Sequence, residues 1–284
     1  MSDRLWSAQW LQEIAGLPGE FAERGVRHTR LEHILKILHA RREVTVEDLT
    51  SRLGVSEVTV RKDLSYLQEL GHLRRMHGGA VLAEDNSVAP SLPYRRLAEV
   101  RGKEAIASRA ARLIKPDDSV FVDAGSTCAQ LIPHLKNMPV RVVTNSLEVM
   151  IGLADAQDVV LHTVGGSLRR QAGSFIGPTA VASINSVRLD IAFIGTSGVS
   201  GDGVFSSQNA IEADFKRAVI AAAGRRVILA DESKLGHEAF AVFARSHEID
   251  LLVTTESARA REFCGEFACE TEFTEPDRSG DAEQ

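Results

Sequence analysis

Two linked stretches constrain this chain more than any other part of it. They are Ser56-Glu-Val-Thr-Val-Arg-Lys-Asp-Leu64 and, a few residues on, Gly71-His-Leu-Arg-Arg-Met-His-Gly-Gly-Ala80. In the first, Val60, Leu64 and Leu67 recur at i, i+4 and i+7 and so share one face of a helix. At about 100° per residue, Val58, Arg61, Lys62 and Ser65 fall toward the opposite side and Thr59 onto a flank. Ser56 stands where an N-cap belongs, and the first turn of such a helix offers free N–H groups to a phosphate. Upstream, Leu31, Ile34, Leu35 and Leu38 outline a helix that ends near Arg41-Arg42. Thr45 to Leu53 outlines another, capped by Thr45, with Asp48 completing a box-like pattern. Gly54-Val55 is the turn. Helix, helix, turn and basic helix in that order make a helix-turn-helix.

The second stretch adds a wing. His72 to His77 reads as a short basic strand, Gly78-Gly79 permits the positive φ of a tight turn, and Ala80 to Ala83 pairs back. A helix for a groove and a hairpin to hold the backbone point to double-stranded DNA as the partner. The candidate DNA contacts are Ser56, Glu57, Thr59, Arg61, Lys62 and Ser65 on the helix, and Arg74, Arg75, His77 and Gly78 on the wing. Asp63 lies at the edge of the buried face and is expected to pair with an arginine rather than meet DNA.

Residues 30–83 resemble the winged helix-turn-helix of the DeoR family of bacterial transcription regulators. That family shows Ser-x-x-Thr-x-Arg-Arg-Asp-Leu followed by Gly-x-Leu-x-Arg-x-His-Gly-Gly-Ala. The matching positions are Ser56, Thr59, Arg61, Asp63 and Leu64, then Gly71, Leu73, Arg75, His77, Gly78, Gly79 and Ala80. Lys62 departs from the pattern, standing where the family usually has a second Arg. A lysine is a point charge and cannot fork onto guanine as arginine does, so a base read from this position would alter operator preference.

The formal charge of the whole chain is −6, which is awkward for a DNA binder until it is divided. Residues 1–80 carry twelve Lys/Arg against eleven Asp/Glu, a net +1, so the rest of the chain holds −7. The binding surface is therefore local, and assembly into a homodimer or homotetramer would raise its affinity. Length suggests about two domains. No apolar run approaches the roughly 20 residues that span a bilayer, so no membrane partner is expected. Asp3, Glu13 and Glu20 interrupt any signal-peptide pattern, and a cytoplasmic location follows. Cys128, Cys264 and Cys269 are too few and too poorly spaced for a disulfide framework, and no metal or cofactor is implied. Residues 1–29 form an extension in which Trp6, Trp10 and Leu11 outline one apolar side of a short helix, either an extra docking helix, the reading preferred, or a mobile extension with no specific task. Residues 86–101, polar with Pro90 and Pro93, read as a linker after a DNA-binding domain spanning 30–85.

Beyond the linker the pattern alternates between strand and helix. Val120–Val122, Arg141–Val143, Val159–Leu161, Ile191–Ile194, Val227–Leu229 and Leu251–Val253 are short apolar runs rich in β-branched residues. Helical stretches such as Glu104–Leu113 and Ala210–Ala223 lie between several of them. The fold class is therefore α/β, with a mostly parallel sheet over residues 102–264 and ligands at the carboxyl ends of its strands. Those ends are polar. Asp123-Ala-Gly-Ser-Thr-Cys128 leads from a strand into a helix and brings N–H groups and hydroxyls suited to a phosphate. Thr144-Asn-Ser146, Gly195-Thr-Ser-Gly198 and Asp231-Glu-Ser-Lys234 each follow another strand. The candidate effector site is thus Asp123, Gly125, Ser126, Thr127, Asn145, Gly195, Thr196, Ser197 and Lys234. Lys234 supplies a cation, and Asp123 or Asn145 holds sugar hydroxyls. Gly165-Gly166 with Arg169 or Arg170 either completes the pocket or is surface charge.

This half resembles the DeoR-type effector domain and, more distantly, the ribose-5-phosphate isomerase fold. The resemblance runs through Lys103, Asp123–Thr127, Thr144-Asn145, Gly165-Gly166, Asp190, Phe193–Gly195, Glu212 and Asp231–Lys234. It implies a repressor of a carbohydrate catabolic operon that responds to a phosphorylated sugar or related metabolite. The isomerases carry Asp-Gly-Ala-Asp-Glu where this chain has Gly195-Thr-Ser-Gly-Val199, with no acid for proton transfer. Glu212 is expected to pack or pair near Lys216 rather than replace them. A sugar-phosphate isomerase with an appended head is the alternative reading, and a protein that binds without catalysing is the one preferred. Residues 265–284 read as a tail, disordered at its acidic end from Thr274.

Overall fold

In the computed structural model the described residues are 99–275 and 30–82, the latter without 32, 36, 39, 40 and 70–72. The N-terminal docking helix, most of the linker and the acidic terminus lie outside them. The chain forms two compact units, within residues 1–88 and 89–284.

In the first unit, helix α1 is helical at every described position between 30 and 41 and buries Leu31, Ile34, Leu35 and Leu38. Strand β1 (Glu43–Thr45) runs straight into α2 (Val46–Leu53). The Thr45 side chain accepts a hydrogen bond from the Asp48 amide at 3.1 Å, and Gly54 ends α2 in the left-handed region at φ 64°. Helix α3 (Glu57–Glu69) follows; its Val60, Leu64 and Leu67 are fully buried, as the spacing predicts. Ser56 Oγ accepts from the Thr59 amide at 3.3 Å. Asp63 is buried and paired with Arg30 at 2.6 Å, so it clamps α1 to α3.

The wing consists of β2 (Leu73–Met76) and β3 (Gly79–Leu82), paired antiparallel. Its turn sits one residue earlier than expected, at His77-Gly78, and only Gly78 has positive φ, at 79°. Gly79 does a different job. Strand β1, which sequence periodicity merges into the cap of α2, pairs antiparallel with β3 and places Thr45 opposite Gly79. A Cβ at Gly79 would stand 2.1 Å from the Val44 carbonyl oxygen. Only hydrogen fits there.

The second unit contains α4 (Val100–Ala111), β4 (Ser119–Val122), α5 (Ile132–Leu135), β5 (Val140–Thr144), α6 (Leu147–Leu153) and β6 (Val159–Thr163). A hairpin of β7 (Ser167–Arg169) and β8 (Ser174–Ile176) follows, then α7 (Pro178–Asn185) and β9 (Leu189–Gly195). The chain continues through β10 (Gly198–Val199), β11 (Val204–Ser207), α8 (Ala210–Ala222), β12 (Ala223–Leu229) and β13 (Ala241–Arg245). It closes with β14 (Leu251–Thr255), α9 (Ala258–Cys264) and β15 (Glu270–Thr274). All six apolar runs lie in one seven-stranded sheet of order β15-β14-β12-β9-β4-β5-β6, parallel throughout.

Three boundaries differ from the sequence reading. Helix α4 begins at Val100, inside the stretch assigned to the linker. The sheet continues past residue 264, because β15 adds to β14 as its edge. The loop after β4 leads into a 3-10 turn (Cys128–Leu131) and one turn of α-helix rather than a regular helix. Its backbone N–H groups therefore carry little macrodipole.

Both faces of the sheet are covered. Ile106 of α4, Leu135 of α5 and Leu153 of α6 pack on one side against Val120, Val142 and Phe193. Ile184 of α7 and Phe215 of α8 pack on the other against Phe121 and Ile194. Burial on both faces explains why the inner strands read as continuous apolar runs; β6, at the edge, leaves Val160 exposed. The carboxyl ends of β4, β9 and β12 therefore open side by side at the rim.

Gly79→Ala is expected to lower the stability of the N-terminal unit by about 3 kcal/mol, through the forced separation of β1 and β3. Gly78→Ala, strained only by its positive φ, should cost about 1 kcal/mol. Scanning calorimetry of the two variants checks the order.

Candidate nucleic-acid interface and effector pocket

On α3 the outward residues are Val58, Arg61 and Lys62, all exposed, with Thr59 and Ser65 half-buried. Arg61 pairs with Glu57 at 3.1 Å along the helix surface. Both ends of that pair are solvated, so it holds Arg61 weakly and leaves it available to a phosphate or base. Lys62 makes no ion pair among the described residues. The Ser56 and Thr59 hydroxyls bond each other at 3.0 Å. Arg74, His77 and Gly78 are exposed on the wing.

Arg75 has a second task. Its Nη1 donates to Ser65 Oγ at 2.9 Å, and its backbone N–H donates to Gln68 Oε1 at 2.8 Å. Ser65 Oγ in turn donates to the Arg61 carbonyl at 2.9 Å. Arg75 and Ser65, expected only as DNA contacts, thus fasten the wing to α3 and fix the angle at which the two are presented.

In the second unit a small, partly open pocket lies at the sheet rim. Gly125, Ser126 and Thr127 line it from the loop after β4. Gly195, Thr196 and Ser197 come from the end of β9, and Lys234 from the 3-10 turn after β12. Thr196 Oγ1 donates inward to the Gly198 and Ser206 carbonyls, at 2.8 and 3.0 Å, so its hydroxyl braces the loop.

Asp123 and Asn145 stand beneath the pocket rather than on its wall. Asp123 Oδ1 accepts from the Ala124 amide at 2.8 Å, and Oδ2 accepts from the Gly195 amide at 3.1 Å. Oδ2 ties β4 to β9 and Oδ1 braces the loop that follows β4, so the expected hold on sugar hydroxyls does not match this geometry. Asn145 Oδ1 accepts from the same Ala124 amide at 3.1 Å, while its Nδ2 is buried without a partner.

Sequence reasoning placed the cation at Lys234 and missed Lys216 on α8. Lys216 is 2 % exposed, and its Nζ lies 3.0 Å from Asp123 Oδ2 and 3.5 Å from Glu212 Oε1. It also donates to the Gly195 carbonyl. Glu212 is held on its other side by Arg169 at 2.7 Å. Glu212 therefore pairs with Lys216 as expected, and Arg169 belongs to this network. Lys216 was detectable in principle, since it interrupts an apolar stripe through Ala213 and Val219 on α8.

The charges in this network alternate in sign: Arg169, Glu212, Lys216, Asp123. Burial works against the Lys216 ammonium, but the Asp123 and Glu212 carboxylates outweigh it and hold it above the usual lysine range. Burial pushes the Asp123 carboxyl up, against the opposing pull of Lys216, and the Glu212 charge adds to the rise. Burial and then the Asp123 charge push the Cys128 thiol up, which makes it a poor nucleophile. The pocket wall carries hydroxyls, backbone N–H groups and the Lys234 and Lys216 ammonium groups, and the Glu212 carboxylate among them is paired with Lys216 and Arg169. Cations and N–H donors therefore prevail, a set suited to an anion.

A winged helix-turn-helix unit and a separate α/β unit with an anion-suited pocket define a DNA-binding regulator with a ligand-sensing body. Residues 30–86 match the DeoR-like helix-turn-helix domain and residues 98–256 the DeoR C terminal sensor domain, and the chain belongs to the DeoR family of transcription regulators. It is 35% identical to the HTH-type transcriptional regulator GlpR of Haloferax volcanii, over 77% of this chain and 86% of that one. It is 30% identical to the lactose phosphotransferase system repressor of Streptococcus mutans, over 80% of this chain and 92% of that one. Among solved structures, ribose 5-phosphate isomerase A of Methanocaldococcus jannaschii aligns with a TM-score of 0.35 and 23% identity, over 47% of this chain and 53% of that one. That likeness is too slight to argue from. No helix among the described residues is long and apolar enough to cross a membrane.

Lys216→Met should destabilise the C-terminal unit by roughly 3–5 kcal/mol, because it leaves Asp123 buried and unpaired. Adding Asp123→Asn to that variant should recover part of the loss. Calorimetric stabilities of the single and double variants check the coupling.

Proposed function

We propose that the protein represses a carbohydrate catabolic operon from the cytoplasm and is released from its operator by a phosphorylated sugar bound in the rim pocket. The observation that carries this reading is the convergence of Gly125–Thr127, Gly195–Ser197 and Lys234 on one pocket above the Asp123–Lys216 pair. The Ser126 and Thr127 loop with Lys234 provides for the phosphate. The side toward Glu212 and Lys216 provides for the hydroxylated carbon chain.

The same geometry speaks against an isomerase. Asp123 and Glu212, the carboxylates nearest the pocket, are both held in ion pairs with Lys216, and Glu212 also with Arg169. Neither is free to take a proton from a bound sugar. Binding is the task the site is built for.

A homodimer or homotetramer presents two heads to repeated half-sites, which compensates for the small net charge of each head. Sugar phosphate shifts the equilibrium only by binding the released arrangement more tightly than the DNA-bound one.

A mobility-shift assay on the gene's own upstream DNA, with a panel of sugar phosphates, tests the proposal. Arg61→Ala should weaken specific binding about ten- to a hundredfold. Ser126→Asp, which sets a carboxylate against the incoming phosphate, should keep DNA binding and lose the response. Turnover of a pentose phosphate by a protein indifferent to its own upstream DNA would overturn the reading.

A further inference from the structure

On the outward face of α3, one side chain does not fit the chemistry of its neighbours. Val58 is 63 % exposed, while Val60, two residues on, is fully buried. It shares the outer face with Arg61, Lys62 and Ser65, at i+3, i+4 and i+7.

The fold gives Val58 nothing to do. It takes no part in the packing of α3, whose buried apolar positions are Val60, Leu64 and Leu67. A β-branched residue is also a poor choice for an exposed helical position, where its rotamers are restricted and lysine or glutamine would serve better. Its apolar surface therefore faces water in the free protein, in the first turn of the helix that enters the groove.

The neighbouring polar groups already have partners or roles. Thr59 and Ser56 bond each other, Ser65 is bound to Arg75, and Arg61 and Lys62 carry the charge. In a major groove, the one apolar group on a base edge is the 5-methyl of thymine. The basic flank of Arg61 and Lys62 matches the phosphates on either side of that edge.

We infer that Val58 reads a thymine in each half-site by closing its two methyl groups over the 5-methyl group. The inference rests on the DNA-binding reading and adds a base to it. Arg61 and Lys62 supply affinity and hydrogen bonding, and Val58 supplies discrimination for thymine that charge cannot supply. A methyl removed from such a contact changes affinity by about three- to fourfold per half-site.

The test uses the full chain and duplexes that it enriches from a random pool. Each thymine of the enriched sequence is replaced in turn by deoxyuridine, which deletes the methyl group and keeps every hydrogen-bonding atom. With the wild type, one position per half-site should lose about three- to fourfold in affinity, and the other positions should be unchanged. With Val58→Ala, which shortens an exposed side chain to one methyl group and favours the helix, the loss at that position should shrink well below the wild-type value. Methyl sensitivity that persists at full size in Val58→Ala would overturn the inference, as would a wild type insensitive to uracil at every position. If no sequence is enriched at all, the DNA-binding reading fails and this inference with it.

Discussion

The buried pair of Asp123 and Lys216 holds the sensing unit in register. Three elements meet at it: the end of β4, the end of β9 and the middle of α8. Two opposite charges withdrawn from water are tolerable only when each is matched and its remaining hydrogen bonds are made. Here Asp123 takes two backbone N–H groups as well as the ammonium, and Lys216 gives to a carboxylate and a carbonyl. The loops that line the pocket are therefore set by the core beneath them. Glu212 and Arg169 extend the same chain of charges to the β7–β8 hairpin.

The DNA-binding head solves a comparable problem with smaller parts. Asp63 and Arg30 clamp α1 to α3, Arg75 and Ser65 hold the wing to α3, and Gly79 lets β1 close against β3. The groove-facing side chains are thus carried on a scaffold fixed by a few interactions behind them. With a net charge of only +1 across residues 1–80, such a head has little raw electrostatic attraction to offer, and the placement of its side chains matters the more.

Much of this was legible because it is written in local periodicity. Val60, Leu64 and Leu67 announce the buried face of α3, and the β-branched runs announce strands covered on both sides. The missing parts lacked that signature. Strand β1 is three residues long and ends in a residue that also caps α2, so the helix signal hides it. Strand β15, Glu-Thr-Glu-Phe-Thr, is an edge strand with two acidic residues among five and no apolar run of its own. The pocket loops showed their glycines and hydroxyls, but Asp123 gave no sign that both its oxygens would turn inward. Its partner Lys216 is 93 positions away in sequence, and such a pairing is decided by tertiary packing. Val58 was visible on the outer face from helical spacing alone; its isolation among polar neighbours that are already engaged came only from the structure.

The proposed regulation couples pocket occupancy to operator occupancy within one protein. Thermodynamic linkage requires the coupling to be reciprocal. Calorimetric titration of the most effective sugar phosphate into free protein and into operator-saturated protein measures this directly. The proposed coupling requires that the operator weaken sugar-phosphate binding by the same factor by which the sugar phosphate weakens operator binding. Equal affinity for the free and operator-bound protein would contradict it.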